Sequence, residues 1–260
     1  MHRYIEIEQR GQIRWIYLNR PEAKNAFNLE MAREILSAVR AGMKEKSAPV
    51  LVLSGKGDAF SAGGDIKKMG ETKNLKKFFL DISKVVHTAV LEMRRGPKPV
   101  LAAIPGYVCG IAFGMVLGTD LRIASERAQF NAATTRLGLV ANGGATWFLP
   151  RLTGVARASE ILFLGEVLSA DRALACVLIN RVVPHEGLEE KVQEIAERLA
   201  AGPRQALGRL KKILQTSLTS TLAAQLERER QAIAWSATTG DFREGMQSFL
   251  EKRRPCFNRS

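Results

Sequence analysis

The stretch PVLVLSGKGDAFSAGGDIK, residues 49–67, contains a strand pattern, a turn and the start of a helix. Residues 49–53 form a short uninterrupted apolar run, which is typical of a strand buried on both faces. Glycines and polar residues at 55–58 favour a turn, and Asp65 can cap a helix that begins near Ile66. Strands that alternate with helices build α/β folds. The stretch therefore predicts an α/β fold in which most strands pair in parallel.

The flanking sequence shows the same alternation. A helix is expected to begin after Asn28, which is a suitable N-cap residue, and a second amphipathic helix covers residues 78–93. After about Gly202 the strand patterns stop, and the chain becomes polar and helical. We predict a core over residues 1–201 and a C-terminal helical subdomain over residues 202–260. The remaining strand patterns cover residues 4–8, 13–18, 100–104 and 120–124.

Charge and cysteine content restrict the class of protein and its partners. The chain has 260 residues and a net charge of +13, which suits an acidic partner such as a phosphorylated ligand or a nucleic acid. Three separated cysteines indicate reduced thiols and a cytoplasmic location. The three histidines lack the spacing of metal ligands, so no metal site is expected.

Residues 99–119 carry no charge and are numerous enough to span a bilayer. Two prolines interrupt the stretch, and its flanks are those of an α/β protein. We therefore interpret it as a buried strand that turns into a buried helix, and we expect no membrane association.

A second stretch, IPGYVCGIAFG at residues 104–114, repeats the strand–turn–helix arrangement. Its helix is expected to begin near Gly110, and the first backbone amides of a helix are free to donate hydrogen bonds. The loop before Ile66 offers free amides in the same way. Two such amides directed at one point would form an oxyanion hole for a carbonyl oxygen that becomes negative.

With these loops in place, the chain resembles the enoyl-CoA hydratase/isomerase (crotonase) superfamily over nearly its whole length. The resemblance implies a spiral of ββα units with a C-terminal helical region that mediates trimer assembly, usually as a hexamer of two trimers. It also implies a CoA thioester as the ligand, with CoA as part of the substrate and no separate cofactor. The motifs that carry the resemblance are residues 18–26 (LNRPEAKNA), 59–66 (AFSAGGDI), 128–130 (AQF), 143–146 (GGAT) and 244–253 (EGMQSFLEKR).

The resemblance assigns roles to individual positions. The amides of Gly64 and Ile111 correspond to the two donors of the oxyanion hole. Further positions correspond to contacts with CoA or substrate, and these are Ala23, Lys24, Ala26, Ala62, Gly63, Asp65, Ile66, Gly110, Gly114, Thr134, Phe249 and Lys252.

Three acidic positions that recur among such enzymes carry no acid in this chain. The two glutamates of hydratases correspond to Gly114 and Thr134, and an aspartate used by relatives with other activities corresponds to Asn142. Addition of water to an alkene needs a positioned acid–base pair. The sequence therefore favours isomerisation or decarboxylation of an acyl-CoA over hydration.

The sequence leaves two interpretations open for each of two polar residues. His87 is either a residue on the flank of a helix or a base, and Asn142 is either a loop residue or a hydrogen-bonding partner of the substrate. For the whole protein, two alternatives to an enolate-stabilising enzyme stay open. One is a protein that binds CoA thioesters with little activity, and the other is an RNA-binding relative, which the sequence pI of about 10.0 permits. No basic motif rich in aromatic residues supports RNA binding, so that alternative ranks last.

Overall fold

The computed structural model describes residues 2–132 and 134–258 of the chain. Within these ranges the chain forms ten strands and ten α-helices. The strands are β1 (Ile5–Arg10), β2 (Ile13–Leu18), β3 (Val50–Gly55), β4 (Ala59–Ser61), β5 (Val100–Ile104), β6 (Tyr107–Cys109), β7 (Leu121–Ser125), β8 (Gln129–Asn131), β9 (Leu168–Ser169) and β10 (Arg181–Val183). The helices are α1 (Leu29–Lys44), α2 (Ile66–Glu71), α3 (Leu75–Arg95), α4 (Gly110–Leu117), α5 (Ala145–Leu164), α6 (Ala170–Ala175), α7 (Leu188–Ala200), α8 (Arg204–Thr216), α9 (Leu222–Ser236) and α10 (Gly240–Leu250).

The strands form two sheets in which most neighbours are parallel. The larger sheet has the order β1-β2-β3-β5-β7-β10, and the smaller has the order β4-β6-β8-β9. Strands β4 and β6 pair in parallel, so their carboxyl ends lie at the same edge of the smaller sheet. Because α2 follows β4 and α4 follows β6, the beginnings of these two helices are brought side by side.

Local sequence explains where the elements begin. Asn28 caps α1 as predicted, since its side-chain oxygen accepts a hydrogen bond from the Met31 amide at 2.8 Å. Helix α3 begins at Leu75, earlier than the predicted residue 78, because the Asn74 side chain caps it through the Lys77 amide. The apolar run of residues 49–53 is the buried strand β3.

The uncharged stretch at residues 99–119 forms β5, β6 and α4, as the sequence predicted. All five residues of β5 are buried, and α4 is buried from Ile111 to Leu117. No helix within the described ranges is both long and apolar enough to cross a membrane.

Beyond Gly202 the described chain contains only helices, in agreement with the sequence pattern. Lys211 of α8 attaches this region to the core. Its Nζ donates to the carbonyl oxygens of Met93 and Lys98, at 2.7 Å each, and pairs with Asp120 at 2.6 Å. Burial lowers the pKa of Lys211, and the nearby Asp120 carboxylate opposes that shift.

Apolar side chains on α9 and α10 point into solvent in the single chain. Leu222, Leu226, Ile233 and Phe249 are all more than half exposed. We expect these side chains to pack between copies of the chain, because association would remove their apolar surface from water. Truncation after Gly202 should then yield monomers or aggregates when measured by size-exclusion chromatography with light scattering.

A full-length variant serves as the matched control for that truncation. Leu222→Glu with Leu226→Glu keeps the Lys211 attachment and should weaken self-association without unfolding the protein, checked by circular dichroism. A soluble, monodisperse trimer from the truncated chain would contradict the prediction.

Candidate active site

The loop between β4 and α2 presents a free backbone amide at Gly64. Phe27 bridges this loop: its N–H donates to the Gly63 carbonyl at 2.6 Å, and its carbonyl accepts from the Asp65 N–H at 3.0 Å. In this parallel arrangement the Gly64 N–H points away from Phe27. Among the described residues it has no hydrogen-bond acceptor. Gly63 has a φ of +89°, a left-handed conformation that favours glycine.

Asn25 holds the loop of residues 18–26 against the chain around β4. Its fully buried side chain donates to the carbonyls of Lys56 and Ala59 and accepts from the Arg20 amide. The Ser61 hydroxyl donates to the Asn25 carbonyl at 2.7 Å. These bonds fix the loop of residues 18–26 against the segment that leads to Gly64. The sequence analysis did not assign this role to Asn25.

Asp65 has a structural role in this loop. Its carboxylate pairs with Arg20 at 2.5 Å and accepts from the Lys68 amide at 3.2 Å, so it caps α2 as predicted. Burial raises the pKa of Asp65, but hydrogen bonds from Arg20 and from the Lys68 amide outweigh burial and hold it below its usual range. The carboxylate therefore stays ionised and bound to Arg20.

The second free amide belongs to Ile111 at the beginning of α4. Its N–H is one of the first amides of the helix and has no acceptor within residues 2–132 and 134–258. The two loops are in contact, since a Cβ atom at Gly63 would lie 2.9 Å from the Cys109 carbonyl oxygen. Only glycine permits this approach, which places both amides beside one cavity.

Gly64 and Ile111 both line a cavity of about 560 Å³. Its walls are mostly apolar, and no aspartate or glutamate is found among the described residues that line it. Cys109 lies in the wall, where burial raises the pKa of its thiol to about 11, so the thiol stays protonated and is a poor nucleophile at neutral pH. The apolar wall is contributed mainly by Met69, Leu80, Ile82, Leu137, Leu139 and Val140.

The three positions that lack acids differ in their surroundings. A Cβ atom at Gly114 would lie 2.3 Å from the Asn142 carbonyl oxygen, so backbone occupies the space of any side chain there. Thr134 lines the cavity, and its buried hydroxyl has no partner among the described residues. Asn142 also lines the cavity.

Asn142 lies at the centre of a hydrogen-bonded group that the sequence did not reveal. Its Oδ1 accepts from His87 Nε2 at 2.5 Å and from the Gly143 amide at 2.7 Å, and its Nδ2 donates to Ser83 Oγ at 2.7 Å. Ser83 lines the first cavity, whereas His87 lines a second cavity of about 440 Å³. Asn142 lines both. Ser83 and His87 are four residues apart on α3, a spacing that places them on one face.

The other candidate positions divide between the cavity and its surroundings. Ala62, Ile66, Gly110 and Thr134 line the cavity together with the two amides. The candidate positions in the loop of residues 18–26 and in the C-terminal segment lie outside the lining of this cavity. Three positions close to the two amides, Gly63, Asp65 and Gly114, also lie outside it. The full set outside the lining is Ala23, Lys24, Ala26, Gly63, Asp65, Gly114, Phe249 and Lys252.

Comparison with known proteins gives the family. The profile of the enoyl-CoA hydratase/isomerase family matches residues 8–260. The chain belongs to this family. The family and fold predicted from the sequence are thereby confirmed. Among solved structures, an enoyl-CoA hydratase from Bacillus anthracis superposes with a TM-score of 0.93 at 32% identity, covering 98% of this chain and 99% of that one.

Relatives in the family carry out different reactions. The 1,2-epoxyphenylacetyl-CoA isomerase of Escherichia coli is 35% identical over 242 residues, 92% of each chain. A 4-chlorobenzoyl coenzyme A dehalogenase of an Arthrobacter species is 32% identical over 251 residues, 96% of this chain and 91% of the relative. Membership of the enoyl-CoA hydratase/isomerase family therefore supports an enzyme, and the choice of reaction depends on the residues of the cavity.

Proposed function

We propose that this protein stabilises the enolate of an acyl-CoA thioester with the backbone amides of Gly64 and Ile111. The observation that carries the proposal is the pair of N–H groups without acceptors in the described chain, on contacting loops beside one apolar cavity. Donors fixed in advance stabilise charge most effectively where it develops and where water is excluded. A thioester oxygen becomes negative when a proton, or carbon dioxide from an attached carboxylate, leaves the α carbon.

A CoA thioester suits both the family and the charge of the chain. The phosphates of CoA complement a net charge of +13. CoA thioesters are named for the Escherichia coli and Arthrobacter relatives, and an acyl-carrier-protein thioester for a Streptococcus mutans isomerase that is 31% identical. We therefore propose a thioester substrate with CoA as its carrier.

Isomerisation or decarboxylation is proposed in preference to hydration. No carboxylate was found in the described lining of the cavity, so that lining offers no pair of carboxyl groups for the acid–base work of water addition. Decarboxylation generates the enolate without a base from the protein. The same lack of carboxylates favours a second candidate, a CoA-thioester-binding protein with little activity.

Hydrogen exchange distinguishes the two candidates. In deuterium oxide, an isomerase should introduce deuterium at the α carbon of a bound enoyl-CoA. A decarboxylase should release carbon dioxide from an acyl-CoA with a carboxylate on its α carbon and leave deuterium in its place. Both products are measured by mass spectrometry of the recovered thioester. Saturable binding of the thioesters with neither exchange nor loss of carbon dioxide would support the binding protein instead. Salt-sensitive retention of RNA together with no retention of acyl-CoA would contradict both.

A further inference from the structure

We propose that Asn142 is a self-processing site, at which the folded protein hydrolyses the side-chain amide to aspartate. The amide is held at both of its polar ends. Oδ1 accepts hydrogen bonds from Gly143 N–H at 2.7 Å and from His87 Nε2 at 2.5 Å, and Nδ2 donates to Ser83 Oγ at 2.7 Å.

The donors on Oδ1 make an oxyanion hole for the side chain of Asn142 itself. Gly143 N–H can only donate, which identifies the atom that it contacts as the amide oxygen. An amide oxygen can only accept, so His87 carries its hydrogen on Nε2. Two donors fixed on one carbonyl oxygen stabilise the negative charge that forms when a nucleophile attacks the carbonyl carbon.

The surroundings allow water to reach the amide and hold the loop in place. Asn142 lines both cavities, of about 560 and 440 Å³, so the residue borders open space. Gly143 has a φ of +68°, and a Cβ atom there would lie 2.3 Å from the Ile111 carbonyl oxygen. This close backbone packing fixes the Gly143 N–H in its direction towards Oδ1.

The step uses water alone as the co-reactant. A water oxygen bonds to Cγ, and the electrons of the carbonyl bond move to Oδ1, where the two donors stabilise them. The carbonyl bond then re-forms while the Cγ–Nδ2 bond breaks. Ser83 Oγ passes its proton to the departing nitrogen and takes the proton of the water, and the nitrogen leaves as ammonia. The new carboxylic acid ionises, with its proton taken up by ammonia.

The products distinguish this route from ordinary deamidation. Asn142-Gly143 is the one Asn-Gly pair in the sequence, and in a flexible chain the glycine nitrogen itself attacks Cγ. That attack expels ammonia and forms a cyclic imide, which opens to a mixture of aspartate and isoaspartate. In the fold the Gly143 N–H serves as a donor to Oδ1, so water is the nucleophile and aspartate is the single product.

The processed residue would add an acid to the site. The aspartate formed from Asn142 would be the first carboxylate among the described residues that line the cavity of Gly64 and Ile111, and it would lie beside His87. This consequence, unlike the hydrolysis itself, rests on the proposed function, because a carboxylate there can move the α proton of a thioester whose enolate the amides stabilise.

Peptide mass spectrometry tests the hydrolysis directly. The intact protein is incubated in heavy-oxygen water and digested with trypsin, and the peptide of residues 137–151 is followed over time. We expect aspartate carrying one heavy oxygen to form faster in the folded protein than in urea. His87→Ala should slow its formation by about 10²-fold, as for the loss of one oxyanion donor. Ser83→Ala should slow it as well. No conversion, conversion independent of His87, or a mixture with isoaspartate in the folded protein would overturn the proposal.

A second measurement tests only the proposed role of the new carboxylate as an added acid in the site. Asn142→Asp should raise the rate of α-deuterium exchange by about 10²-fold or more over the unprocessed protein, the contribution typical of one positioned base. An unchanged rate would overturn the added-acid role while leaving the mass result intact. Absence of both exchange and decarboxylation in the two proteins would instead count against the proposed function.

Discussion

Crotonyl-CoA should be hydrated about 10⁴-fold or more slowly by this protein than by a hydratase that has both glutamates. A positioned acid or base typically contributes about 10²–10⁴-fold to a rate, and the positions that the family resemblance assigns to the two glutamates are Gly114 and Thr134 in this chain. The measurement is the decay of the crotonyl-CoA absorbance with purified protein, alongside a binding assay on the same sample. Turnover at the rate of ordinary hydratases would contradict the prediction and would mean that another residue supplies the acid and base.

Two variants make this test sharper. Thr134→Glu places a carboxylate at a position that lines the cavity, so the variant should fold and gain at most a partial rate. Gly114→Glu should be poorly folded, because a Cβ atom there would lie 2.3 Å from the Asn142 carbonyl oxygen and 2.6 Å from the Gly143 carbonyl carbon. The glycine is thus part of the packing between α4 and the loop at residues 142–143, and a glutamate placed there would not by itself produce a hydratase.

The fold was largely predictable because its signals are local. Apolar runs mark the buried strands, and Asn28 and Asp65 cap the helices that the sequence assigned to them. Both amide loops were also predictable, since each lies between a short strand and a helix. The ends of elements were less accurate, as at α3, where Asn74 begins the helix earlier than the apolar pattern indicated.

The contacts around Asn142 were not predictable, because they join distant parts of the chain. His87 and Ser83 lie more than fifty residues before Asn142, and neither carries a pattern that specifies a partner. From the sequence, Gly114 could be interpreted only as a position where the resemblance to hydratases would place a glutamate. Its physical reason, the backbone of residues 142–143 against α4, became visible only in three dimensions.

Gly64→Pro should weaken binding of acyl-CoA thioesters and lower any turnover by about 10²–10³-fold, the effect typical of losing one oxyanion donor. Proline has no N–H, so the substitution removes the donor itself. Gly63 precedes it, and glycine tolerates the restriction that proline imposes on the preceding residue. Binding is measured by calorimetry and turnover by α-deuterium exchange, with circular dichroism to confirm the fold.

Gly64→Ala is the matched control, because it adds a side chain while keeping the N–H. Its Cβ atom would lie 2.4 Å from Met69 Cε, the mobile end of a flexible side chain, which can move aside. We therefore expect Gly64→Ala to bind nearly as well as the unaltered protein, and His87→Ala and Asn142→Ala in freshly purified protein to lose far less than Gly64→Pro. If His87→Ala or Asn142→Ala proves the more damaging change, a side chain carries the chemistry and the two amides are not its main contacts. Equal losses in Gly64→Ala and Gly64→Pro would assign the effect to crowding of the loop and not to the missing hydrogen-bond donor.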